Sequence, residues 1–181
     1  MTQSLTPQLG SNLKKVKETE DFEIYVYTPS LIRAFPFRME KISAAYRLRC
    51  IQEYFVGYIV YYIRIGDQWA GYCAVSSGRN PRYFFSTRDD IIFGRCYISP
   101  AFRGKGLSKK LVRQVLDHLG LKYKKAYAFV HAGNTPSHAL CCGIGCHVVG
   151  HFDKVGRLRQ IRKNENGAYT IYCYQPLNNR E

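Results

Sequence analysis

The sequence predicts one mixed α/β domain, and three observations predict it. Residues 58–65 and 69–75 are β-branched and aromatic runs around Gly66-Asp67-Gln68, the pattern of a β-hairpin. Residues 91–98, a glycine turn, an amphipathic stretch from Leu107 and a short apolar run at 126–130 follow one another as strand, helix, strand. At that spacing they close a parallel βαβ unit with a right-handed crossover. Finally, 181 residues without a repeat, a low-complexity tract or a linker fit one domain with a substantial core.

In chain order, residues 1–20 are polar and read as a loosely attached N-terminal segment, leaving 21–181 as the domain. Residues 22–27 read as a first strand, ended by Pro29. Between 31 and 55, Met39, Ile42, Ala45, Tyr46 and Arg49 are spaced for one helix face, and Pro36 predicts a break before it. After the hairpin, residues 76–90 form a polar loop carrying Tyr83, Phe84 and Phe85, which either wall a substrate or tuck back onto the sheet. From Leu107 the apolar positions 107, 111, 112, 115, 116 and 119 follow a 3.6-residue period, and Gly120 stops that helix. Thr135 reads as an N-cap, with Pro136 at the first position of a short helix ended by Gly143 and Gly145. Residues 146–152 and 168–174 read as strands, with a basic, turn-rich segment between them.

Composition narrows the function classes. The formal charge is +14, which favours acidic partners: nucleic acid, an anionic surface or a polyphosphate ligand. The excess gathers between 103 and 125, where eight Lys and Arg face the single acid Asp117. Seven cysteines, two of them adjacent, do not resemble a disulfide framework, and the polar N-terminus does not resemble a signal peptide. No run is long and apolar enough to span a membrane. A cytoplasmic protein is expected, as a monomer or homodimer.

The densest cluster of signals is residues 96–108. A strand ends at Pro100, then Arg103-Gly104-Lys105-Gly106 turn into the helix. Such a turn offers backbone N–H groups to an anion, and its two glycines let a phosphate approach. Two phosphate motifs fail here. No GxxxxGK[ST] string occurs, and Lys109 stands where a dinucleotide fingerprint needs its third glycine. Arg103-Gly104-Lys105-Gly106-Leu107-Ser108 instead resembles the coenzyme A turn, [RQ]-x-x-G-x-[GA], of the GCN5-related N-acetyltransferases, the GNAT family. A second block, Val130 to Cys146, is similar to that family's strand end, asparagine, short helix and glycine-aromatic pair in order and spacing.

That resemblance implies a central, mostly antiparallel twisted sheet flanked by helices, with a parallel strand pair around the coenzyme A site. It implies acetyl transfer from acetyl-CoA to a primary amine. Cys96, Tyr97 and Ile98, the turn residues Arg103, Gly104, Lys105, Gly106, Leu107 and Ser108, and Asn134 would hold acetyl-CoA. A backbone N–H near Tyr97 or Ile98 would stabilise the developing oxyanion. Cys141 stands where the family has a tyrosine and Cys146 where it has an aromatic residue. Cys141 is therefore the candidate general acid, its alternative being a small packing residue. Asn134 has an alternative too, in turn chemistry before the helix. No acid lies within 91–98, and Asp89, Asp90, Glu53 and Glu40 read as solvated charges. His131 is a candidate base, its alternative being a hydrogen-bonded structural histidine. Charge complementarity favours an acidic acceptor, such as a nucleotide-linked amino sugar, over a polyamine.

Two rival readings stand beside this one. Cys141, Cys142, Cys146, His147 and His151 loosely satisfy zinc spacing, but the glycines fit the acetyltransferase pattern better and no metal is expected. The other is a weakly active or inactive module of the same fold that binds nucleic acid or another acidic partner. No nucleic-acid motif supports it.

Overall fold

Hydrophobic alternation along short β-branched strands, interrupted by two amphipathic helices, builds the molecule around one sheet. The structure, a computed structural model, describes residues 12–30, 44–156 and 160–176. Its strands are β1 (Leu13–Glu18), β2 (Glu23–Tyr27), β3 (Tyr58–Ile65), β4 (Gln68–Ser77), β5 (Ile91–Ile98), β6 (Ala126–His131), β7 (His147–Val155), β8 (Gln160–Lys163) and β9 (Tyr169–Tyr174). Its helices are α1 (Ala44–Val56), α2 (Leu107–Leu119) and α3 (Thr135–Gly143). The strands form one sheet in the order β1-β2-β3-β4-β5-β6-β9-β7-β8. Every neighbouring pair is antiparallel except β5 and β6.

The hairpin forms as expected, with Gly66 at φ 52° in its turn. Leu107, Leu111, Val112, Val115 and Leu116 of α2 are all buried, as their period predicts. They pack with Tyr61, Ile63, Cys73, Val75 and Phe93 on one face of the sheet, where Cys141 and Ile144 of α3 also lie. Cys50 of α1 packs with Tyr58, Tyr62, Tyr72 and Ala74 on the opposite face. The sheet thus separates α2 and α3 from α1.

Three elements differ from expectation. Residues 13–18 are not loosely attached: Leu13 and Val16 pack inward while Lys14, Lys15 and Lys17 line an edge strand. The segment after residue 154 contains β8, a second edge strand carrying Arg162 and Lys163. Basic side chains on such edges discourage strand addition, and they disguise the strands in the sequence. Because β1 and β8 end opposite sides of the sheet, their charges do not join into one stripe for nucleic acid. The cap of α3 also lies one residue earlier than expected. Asn134 Oδ1 accepts the Ser137 N–H at 3.3 Å, so Asn134 is the N-cap in place of Thr135. Met39 and Ile42 of the predicted first helix lie outside the described residues.

The feature that positions the site is an opening in the sheet. β5 and β6 pair only at Ile91 with Ala126 and Ile92 with Tyr127. Beyond these pairs β5 stays on β4 and β6 stays on β9, so the two parallel strands part. A bulge on β5 between Phe93 and Cys96, opposite Ala74, bends the strand as it leaves β6. Asp90 anchors the root of the opening. Its buried carboxylate accepts the Thr87 N–H and O–H, both at 2.8 Å, and the Lys125 N–H at 3.0 Å.

Candidate active site

Where β5 and β6 separate, the sheet holds a cavity of about 430 Å³. Phe93, Gly94, Arg95 and Cys96 form one wall, and Ala128, Phe129, Val130 and His131 the other. Asn134 and Cys141 close it on the α3 face, and Glu53 and Tyr83 on the α1 face. The cavity therefore passes through the sheet from one helical layer to the other.

Strand geometry decides which backbone donors face the opening. The Ser99 N–H bonds Ala70 O on β4 at 2.9 Å. Because N–H direction alternates along a strand, Tyr97 also points its N–H toward β4, while Cys96 and Ile98 point theirs to the open edge. The Ile98 carbonyl lies on that open edge, where Arg103 Nε donates to it at 3.0 Å. Of the expected candidates near Tyr97 or Ile98, the N–H that faces the opening is thus that of Ile98, with that of Cys96 beside it. The Tyr97 ring instead stacks on Tyr72 and lies 5.8 Å from the Arg103 guanidinium.

The turn that follows is built for an anion. Gly104 and Gly106 hold φ of +78° and +68°, and a Cβ at either would meet nothing within 4 Å. The space over the turn is open and the backbone conformation favours glycine. No side chain caps α2, and its first turn contains no acid while Lys109 and Lys110 lie in it. Positive charge at a helix N-terminus is unfavourable unless an anion is present. These residues fit a pyrophosphate. The Leu107 side chain lies in the core, which leaves only its backbone at the turn.

Cys96, Asn134 and Cys141, expected from sequence, line the cavity; Tyr97, Ile98 and the 103–108 turn carry the strand onward beyond it. Cys141 is buried, and its thiol is held below its ordinary value by a hydrogen bond from the Cys146 thiol, against the opposing effect of burial. Cys146 is correspondingly pushed up, by that same bond and by burial. His131 also lines the cavity, but its Nδ1 accepts the Gly133 N–H at 3.2 Å and its carbonyl accepts His138 Nε2 at 3.1 Å. It shapes the loop into α3.

Glu53 is the residue that sequence reasoning misplaced. It is not a solvated charge: it sits in the cavity wall. Its Oε1 accepts Asn80 Nδ2 at 3.1 Å and the Tyr83 hydroxyl at 3.3 Å. Its Oε2 is buried and has no hydrogen-bond partner among the described residues. A buried carboxylate oxygen left without a donor is costly. The loop aromatics combine both expected roles. Tyr83 lines the cavity, and Phe85 packs on Tyr127, Phe129 and Phe152.

Arg82, Arg95 and Lys154 bring positive charge to the same space, a set the sequence did not single out. Lys154 Nζ lies 3.9 Å from the Tyr169 ring centre and 4.6 Å from that of Phe129, which fixes the ammonium by cation–π attraction. Among the described residues, no three His, Cys, Asp or Glu side chains group as a metal site, and no helix is long and apolar enough to cross a membrane. Glu40 lies outside the described residues.

Comparison with known proteins agrees with this architecture. The model of the acetyltransferase (GNAT) family matches residues 24–144. No curated protein matches the chain in sequence. Among solved structures, an acetyltransferase from Thermus thermophilus is 15% identical, with a TM-score of 0.59 over 84% of this chain and 97% of that one. An IAA acetyltransferase from Bacillus cereus is 14% identical, with a TM-score of 0.61 over 84% and 99%. YncA of Salmonella typhimurium, solved with acetyl-CoA, is 21% identical, with a TM-score of 0.54 over 78% and 77%. The family match spans the parted strands, the glycine turn and the short helix, and the chain belongs to the GNAT acetyltransferase family.

Proposed function

We propose that the chain transfers an acetyl group from acetyl-CoA to the primary amine of a small, negatively charged acceptor such as a nucleotide-linked amino sugar. The observation that carries this reading is the opening between β5 and β6, with a glycine turn at a helix N-terminus at one end and, at the other, a carboxylate oxygen without a partner among the described residues. The N–H groups after Gly106 hold the pyrophosphate, with Arg103, Lys105 and Ser108 beside them. Asn134 presents its side-chain amide to the pantetheine arm. The open-edge N–H groups of Cys96 and Ile98 meet the carbonyl oxygen as charge builds there. Glu53 Oε2 takes the proton of the attacking amine. Cys141 returns a proton to the departing sulfur. Arg82, Arg95 and Lys154 hold the acceptor's negative group, which a polycation lacks.

A panel of amines with acetyl-CoA and a thiol-release readout tests this. Amino sugars bearing phosphate are expected to turn over faster than polyamines, and a polyamine as best substrate would overturn the acceptor class. With the best acceptor, Cys141→Ala is expected to lower kcat by about 10- to 100-fold without changing affinity for coenzyme A. An unchanged kcat would remove Cys141 from the proton path.

A further inference from the structure

We propose that Cys141 and Cys146 are an oxidation site, a dithiol that a hydroperoxide entering the cavity converts to a disulfide. The inference rests on the end of α3. There the Cys146 N–H bonds Cys141 O at 3.0 Å, the Gly145 N–H bonds Cys142 O at 3.0 Å, and Gly145 has φ 92°. This pair of hydrogen bonds is the Schellman motif, whose geometry sets the residue three before the cap beside the residue two after it. That contact is ordinarily apolar. Here both positions are cysteine, and both side chains belong to the same core cluster.

The pair also has access and direction. Cys141 lines the cavity and Cys146 is half-buried. The interaction between the two thiols lowers Cys141 and raises Cys146, which favours Cys141 as the attacking sulfur. The Cys141 thiolate attacks the peroxide, the O–O bond breaks, and Cys141 sulfenic acid and an alcohol result after one proton is taken up. The Cys146 sulfur then displaces hydroxide from the sulfenic sulfur, forming the S–S bond and, with the Cys146 proton, water. Two thiols are oxidised and one peroxide is reduced.

A second thiol pair provides a contrast. Cys73 and Cys96 are cross-strand partners. Cys73, however, is fully buried in the sheet, and its hydrogen bond with Cys96 and its burial push its thiol up. Cys73 offers neither access nor a thiolate, so Cys96, which lines the cavity, has no available partner. Cys142 is exposed and serves as the control for indiscriminate oxidation.

The test is peroxide treatment of the reduced full-length protein, followed by alkylation and peptide fragmentation by mass spectrometry. The expected product is a reductant-reversible linkage between Cys141 and Cys146, formed equally in Cys142→Ala. In Cys146→Ser a sulfenic acid is expected to persist at Cys141 and to be trapped by dimedone. In Cys141→Ser, Cys146 is expected to stay reduced. A pair that stays reduced while Cys142 oxidises, a linkage that forms through Cys142 or Cys73, or dimedone on Cys146 would each overturn the proposal. The consequence for catalysis rests on the reading of Cys141 as the acid and is measured separately. Transfer to the best panel amine is expected to fall about 100-fold on oxidation and to recover on reduction. If the disulfide forms and transfer persists, the acid assignment fails and the oxidation site stands.

Discussion

Glu53→Gln is expected to lower kcat for the best acceptor by about 100-fold or more, the usual contribution of a general base, with KM for acetyl-CoA within about twofold. The substitution is nearly isosteric and leaves an oxygen to accept from Asn80 and Tyr83, so α1 and the 78–90 loop stay in place. What it removes is the proposed proton acceptor at Oε2, a buried atom without a hydrogen-bond partner among the described residues. Glu53 lies on the α1 side of the sheet and the coenzyme turn leads into α2 on the other, so donor binding is insulated from the change. An unchanged kcat would return the proton to water or to another cavity group. A loss confined to KM for the acceptor would make Glu53 a binding residue only.

Gly106→Val is expected to weaken coenzyme A binding by about 10- to 100-fold, or ~1.4–2.8 kcal/mol. Two effects add. A β-branched residue at φ +68° is strained by roughly 1–2 kcal/mol, and its side chain occupies the open space over the first N–H groups of α2. No neighbour lies within 4 Å to clash with the new Cβ in the free protein. The melting temperature therefore falls by only the backbone strain, while affinity falls by more. Equal affinity in wild type and variant would show that phosphate is held elsewhere.

How much of this was legible in the sequence follows from range. The glycine turn, the apolar period of α2 and the Val130-to-Cys146 spacing are local patterns, and each forms nearly as read. Asn134 was open between ligand and turn chemistry, and the structure places it as the cap of α3 and in the cavity wall together. The donor N–H groups needed hydrogen-bond parity along β5, which depends on Ser99 meeting Ala70, a contact with a strand far off in sequence. Glu53 was illegible for the same reason. Its carboxylate is withdrawn from solvent by Asn80 and Tyr83, about thirty positions away, and nothing near Glu53 announces them. The edge strands β1 and β8 were hidden by the lysines and arginines that protect them.

The most direct test of the account is a calorimetric titration of acetyl-CoA into the wild-type chain beside Gly106→Val. Saturable one-to-one binding to the wild type is expected, weakening as salt screens Lys105, Lys109 and the α2 terminus, with much weaker binding to the variant. Absence of binding to the folded wild type, or binding indifferent to both salt and Gly106, would contradict it.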